Sequence, residues 1–213
     1  MNKGEQLDYF IENVAFPQSE ALFQQVMGHF VRNKQQVIDE FVFAFQSLCR
    51  NIREQQASRL DANPAYVQFS LLLSHVLLHK PPYIIEAFDK DYYWGNVVGQ
   101  AAYHPRWMFE PLEAFYEELK QEAKKYVLTI NPLEVETIYL AELKKHERIM
   151  KLVAKEAVET LLDTDEYAQL PYDEEVQFRI GEFRGDTELL FIKNAQNDAI
   201  WRYVSGVLSN QAR

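Results

Sequence analysis

Apolar side chains recur through the first quarter of the chain at helical spacing. Leu22, Val26, Phe30, Val37, Phe41, Phe45, Leu48 and Ile52 follow one another at threes, fours and one seven, which aligns them along one stripe of an amphipathic helix. The polar pentad 32–36 interrupts the stripe and marks where the rod is expected to break or bend. A short helix is expected before it, over residues 6–14, ended by Phe16-Pro17 because the residue before proline is pushed out of the helical region. Ser19 then serves as the N-cap of the long helix.

The period changes to two after the turn residues 61–64. Val67, Phe69, Leu71, Leu73 and Leu77 share one parity while Gln68, Ser70 and Ser74 share the other, predicting a half-buried strand over 67–78. The runs Leu71-Leu72-Leu73 and Val76-Leu77-Leu78 blur that parity and also fit a buried helix. Pro81-Pro82 turns the chain, and 83–88 returns as the partner strand. A second hairpin is expected far downstream, with strands 176–183 and 188–192 around the turn Arg184-Gly185-Asp186.

Between the hairpins, Met108, Leu112, Phe115, Leu119, Ala123 and Tyr126 form one helical stripe. Asn131-Pro132 with Glu134 starts the next, which carries Val135, Ile138, Leu143, Met150, Val153, Ala157 and Leu161 inward. A closing helix is expected over 199–208. Lone hairpins are marginally stable, so the two are expected to merge into one antiparallel sheet covered by the helices of 108–162. The fold class is therefore α+β, mainly helical, with long amphipathic helices on a small antiparallel sheet built from two hairpins. The expected organisation is one domain over 1–213, a helical arm (1–60) followed by the sheet and helical hairpin (61–213).

Composition narrows the partners. With 32 acidic against 22 basic residues the 213-residue chain carries a formal charge of -10, so its surface on average repels phosphate backbones and anionic lipids, and neither nucleic acid nor a membrane is an expected partner. The one tight basic cluster, Lys144, Lys145, Arg148 and Lys151, is interleaved with Glu142 and Glu147 at salt-bridge spacing. The start of the chain lacks a basic region followed by an apolar stretch, and nowhere is there a run of about 18 apolar residues. A soluble, cytoplasmic protein is the expectation. The single cysteine, Cys49, sits beside the apolar stripe and reads as an inert buried thiol.

Motifs for chemistry are sparse. The five histidines include no His-Glu-x-x-His pair, there is no serine elbow, and 7 glycines leave little for phosphate loops. No metal and no cofactor is called for. His146 stands one helical turn after Glu142, a spacing that a carboxylate and imidazole use as ligands or as an acid and its orienter, and equally in a structural hydrogen bond. Glu86, Asp89 and Asp91 at the end of the first hairpin can converge with Glu182, Asp186 and Glu188 if the hairpins align.

The densest signal is 88–95 continuing to 103–107. Tyr92, Tyr93, Trp94, His104, Arg106 and Trp107, with Glu86 and Asp89 beside them, combine rigid rings with charge, the composition of surfaces that bind partners. The same rings would look no different if they sealed helices onto the sheet. The reading is a non-enzymatic cytoplasmic binding or interaction protein (adaptor, inhibitor or immunity-type, or regulatory subunit) that uses this aromatic-acidic surface and is homodimeric through its long first helix. Phe43, on a different side of that helix from Phe41 and Phe45, motivates the dimer. The alternative is a small hydrolase using carboxylates and a histidine of 86–104, with or without a metal.

Overall fold

A computed structural model describes residues 2–57, 63–78, 83–126 and 129–196. Their contacts define two compact units, one drawn from within Met1–Glu40 and His104–Val153, the other from within Phe41–Tyr103 and Ala154–Arg213. The expected closing helix over 199–208 lies outside the described residues.

The first unit is helical. Helix α1 (Lys3–Phe10) is capped by Asn2 and Glu5 and passes through a single π-turn (Ile11–Ala15) into α2 (Phe16–Arg32). Phe16-Pro17 does not end the helix as expected. The widened turn takes the Phe16 amide to the Ile11 carbonyl, and Pro17, with no amide to offer, enters where none is needed. Ser19 consequently lies inside α2 rather than capping it. The expected break is present: Asn33 leaves helical geometry at φ -118°, ψ 30°, and α3 (Lys34–Gln56) follows.

Helices α5 (Arg106–Ala123) and α6 (Pro132–Leu162) follow the predicted stripes, with Met108, Leu112, Phe115, Leu119, Val135, Leu143, Met150 and Val153 buried. The Asn131 side chain accepts from the Glu134 amide at 3.0 Å, and the Glu134 carboxylate accepts from the Asn131 amide at 2.7 Å, a reciprocal cap at the predicted start. Tyr116 of α5 stacks on Tyr139 of α6 with centroids 4.3 Å apart.

The second unit is built on one five-stranded sheet in the order β3-β2-β1-β4-β5, with β1 Tyr66–Leu71, β2 Tyr83–Phe88, β3 Val97–Tyr103, β4 Glu175–Glu182 and β5 Thr187–Asn194. The two hairpins do merge, but β1 pairs with β4 in parallel, so the sheet is mixed rather than antiparallel. The first strand stops at Leu71, and Leu73–Leu77 forms the short helix α4. Strand β3 was not expected at all. A short helix α7 (Asp165–Ala168), capped by Thr164, leads from α6 towards β4.

One face of the sheet is apolar, with Val67, Phe69, Ile85, Ala87, Phe178 and Ile180 buried. The second half of α3 packs on that face, which was not expected; of the expected helices of 108–162, α5 and α6 as far as Val153 belong to the other unit, while Lys155 near the end of α6 pairs with Glu188 of β5 at 2.5 Å. Phe41 stacks on Phe69 at 4.8 Å and meets Tyr103 edge-on at 5.7 Å, and Phe45 packs on Phe178 at 5.7 Å. Ile52 approaches Gly99 so closely that a Cβ there would stand 2.4 Å from Ile52 Cγ1. Gly99 is thus fixed by helix-on-sheet contact.

Candidate functional site: the polar face of the sheet and the β2–β3 turn

Alternation places the other side chains of the strands on the second face. Register aligns Gln100, Glu86, Gln68 and Arg179 across β3, β2, β1 and β4, yet this face is not simply solvated: Gln68 and Ser70 are fully buried. The covering comes from the turn after β2. Phe88 ends the strand, a one-turn 3-10 helix (Tyr92–Trp94) follows, and two tyrosines fold back over the sheet.

The turn is held by specific bonds. Asp89 accepts from the Asp91 amide at 3.1 Å and from the Asn96 amide and side chain at 2.8 and 2.9 Å. Burial pushes the Asp89 carboxyl up, but these bonds together hold it below its ordinary value. Gly95 is required here by close approach, since a Cβ would fall 1.7 Å from Asp89 Oδ1. The Tyr92 hydroxyl donates to Gln68 Oε1, while Gln68 Nε2 donates to the Tyr93 hydroxyl at 2.6 Å and to Ser70 Oγ at 2.9 Å. The Arg184 amide of the β4–β5 turn donates to the Tyr93 hydroxyl at 3.2 Å. Burial, then the hydrogen bond and charge of Tyr93, push the Tyr92 hydroxyl well above its ordinary value.

Trp94 has no such place. It projects from the same turn with 96% of its surface exposed. Beside the turn lies a cavity of about 770 Å³ lined by Asp89, Asp91, Asp173, Glu174 and Glu175, with Asn63, Tyr66, Lys90 and Gln177 among the other walls. Acids from two distant segments therefore line one cavity, and Glu182, Asp186, Glu188 and Glu86 are not among them. Because β4 runs parallel to β1, its start rather than its far end lies beside Tyr66 and Phe88, so residues 173–175 join Asp89 and Asp91. The acid triplet ahead of a strand was visible in sequence, but the direction of β4 was not.

Glu86 stands apart from that cavity's lining. Its Oε2 is buried with no hydrogen-bond partner, and burial pushes the carboxyl above its ordinary value against the pull of the Arg184 guanidinium. His104, Arg106 and Trp107 belong to the helical unit. There Trp107 stacks on His29 at 5.7 Å, while His104 and Arg106 are exposed. The predicted segment is thus divided between two units.

The remaining candidates are accounted for inside their units. Burial pushes the Cys49 thiol up to about 12, so it is not a thiolate at neutral pH. His146 is fully buried, its Nδ1 3.0 Å from the Glu142 carbonyl oxygen and 3.2 Å from Glu142 Oε1. Glu142 Oε2 accepts from Ser19 at 2.5 Å, and Lys145 reaches Ser19 at 3.0 Å and Glu20 at 2.7 Å. The basic cluster is also paired at the spacing expected, Lys145 with Glu142 at 3.8 Å and Lys151 with Glu147 at 3.4 Å. Among the described residues no group of three or more His, Cys, Asp and Glu side chains is placed to hold a metal ion, and no helix is long and apolar enough to cross a membrane.

Comparison of the chain with protein-family models, curated proteins and solved structures finds no match.

Proposed function

We propose that the chain is a non-enzymatic cytoplasmic binding protein whose recognition surface is the β2–β3 turn and the acidic cavity beside it, suited to a basic protein partner. The observation that carries this reading is Trp94, 96% exposed on a turn whose neighbours are fixed by Asp89 and Gln68. A large ring presented on a fixed turn loses little conformational freedom on binding, and such aromatics supply the anchors of interfaces. The carboxylates at its side steer a cationic partner and select against an anionic one.

The test uses a fluorescein-labelled hexa-arginine peptide and fluorescence anisotropy at about 0.15 M salt, where purely distant attraction is screened. Trp94→Ala should weaken binding about tenfold or more while changing stability by less than about 0.5 kcal/mol, because the ring has no packing to lose. Tyr93→Ala should cost about 1–3 kcal/mol, since it strips the Gln68 and Arg184 bonds. A Trp94→Ala protein that binds as well as the parent, or one destabilised by about 3 kcal/mol, removes the reading.

A second element of the proposal is self-association through α3. Phe43 is 64% exposed on that helix, with Arg50 5.5 Å from its ring centroid, an aromatic patch of the kind that pairs across a two-fold axis. Sedimentation should give about twice the 25.1 kDa chain mass, and Phe43→Asp should return it to the monomer. A parent protein that sediments as a monomer across the micromolar range ends this part of the proposal.

A further inference from the structure

Among the described residues, Glu86 is the buried group of the sheet's polar face that the fold leaves unserved. The residue is 9% exposed and its Oε2 has no partner, so its lost hydration is not replaced from within the protein. Among the described residues no donor reaches Oε2, and three of the neighbouring side chains are engaged elsewhere. The Gln68 amide serves Ser70 and Tyr93. The Arg179 guanidinium serves Thr187 at 2.9 Å and Gln177 at 3.2 Å. The Arg184 guanidinium lies over the rings of Phe183 at 5.4 Å and Tyr93 at 6.0 Å, near enough to pull on the Glu86 charge without forming an ion pair with it.

The covering of this carboxyl is strained. Among the described residues the two non-glycine residues in the left-handed region are Tyr92 at φ 53° and Arg184 at φ 54°, and their turns are joined by the Arg184 amide bonding the Tyr93 hydroxyl. Such strain collects at ligand clamps. The rings Phe88, Tyr92 and Tyr93 contact one another at 4.1–5.4 Å over the same face, and aromatic faces next to a carboxylate suit a planar cation.

We infer that Glu86 is the receptor for an arginine side chain of the basic partner, taken in beneath the Tyr92–Tyr93 turn, and that Arg184 occupies the entrance in the free protein. This rests on the proposed reading of a basic partner and names the anchor within it. Binding displaces the Arg184 guanidinium from the Tyr93 ring and supplies the charged donors that Oε2 lacks. The carboxyl gives up any proton it holds as the guanidinium arrives, so proton release accompanies binding wherever the free carboxyl is protonated.

Hexa-arginine and hexa-lysine peptides serve as probes on the full chain, with parent, Glu86→Gln, Arg184→Ala and Asp173→Asn/Glu174→Gln proteins compared by anisotropy and calorimetry. Glu86→Gln should lose about tenfold or more for hexa-arginine while melting no lower than the parent, since the amide needs no counter-charge. Arg184→Ala should bind hexa-arginine more tightly. The parent should release protons on binding as the pH is lowered towards the carboxyl's ordinary value of 4.5, seen as heats that differ between buffers of unlike ionisation enthalpy, and Glu86→Gln should not. If Glu86→Gln binds as the parent does while the Asp173/Glu174 variant is weakened, the inference is overturned and the basic-partner reading stands. If the parent binds neither peptide, both are overturned.

Discussion

Phe41→Ala should cost about 3–5 kcal/mol of stability, and Phe43→Ala, two positions along the same helix, less than about 1 kcal/mol. Phe41 is 1% exposed, stacked on Phe69 and edge-on to Tyr103, so its removal opens a hole between α3 and the sheet that neither rigid partner can fill. Phe43 faces away from that core and contacts the Arg50 side chain. The measurement is urea denaturation of both variants at protein concentrations below those at which the parent associates. Equal losses in the two would mean that α3 does not pack on the sheet in the register described.

The same helix shows what local pattern can and cannot specify. Its apolar stripe and its interruption at Asn33 are readable because both are matters of neighbouring residues and a fixed period. What the stripe packs against is not. The sheet offers α3 the faces of Phe69 and Phe178, contributed by strands far apart in sequence. Strand β3 escaped detection because its centre, Gly99-Gln100-Ala101-Ala102, lacks branched or aromatic residues, and the reason for Gly99 lies in Ile52. The direction of β4 relative to β1 was equally silent, since alternation presents the same two faces whether a pair is parallel or antiparallel. Pro17 misled in the opposite sense, because a π-turn removes the constraint on which a proline stop depends.

At the candidate site, residue chemistry was legible and geometry was not. Tyr92, Tyr93 and Trp94 were singled out together, yet two are fastened to Gln68 and the third is free, a division made by the turn held by Asp89. Gln68 and Ser70 were placed on the solvent side by parity. They are buried because the turn folds back over them, and only a contact between segments makes that so.

Removing the Glu142 carboxylate should be the most damaging polar change in the helical unit, with Glu142→Ala costing about 2–4 kcal/mol. It would take Oε2 from the Ser19 hydroxyl and Oε1 from the Lys145 ammonium and the fully buried His146 ring. Burial pushes the Glu142 carboxyl up, but the hydrogen bonds from His146 and Ser19 and the charges of His146 and Lys145 together hold it below its ordinary value of 4.5. A carboxyl whose folded value is depressed contributes its stability above the unfolded value and loses it as pH falls through the folded one. The gap between the parent and Glu142→Gln should therefore be open above pH 4.5 and close progressively below it. Glu86 has the opposite sign: its folded value is raised, so any stability that its titration contributes is present below the ordinary range and is lost as pH rises through the folded value. Glu86→Gln should thus gain on the parent as pH increases from acid to neutral while Glu142→Gln falls behind it. Guanidinium denaturation of the three proteins from pH 3 to pH 7 separates these trends. A Glu142→Gln gap that stayed constant down to pH 3 would show that this carboxylate, although central to the α2–α6 contact, carries no titration-linked stability.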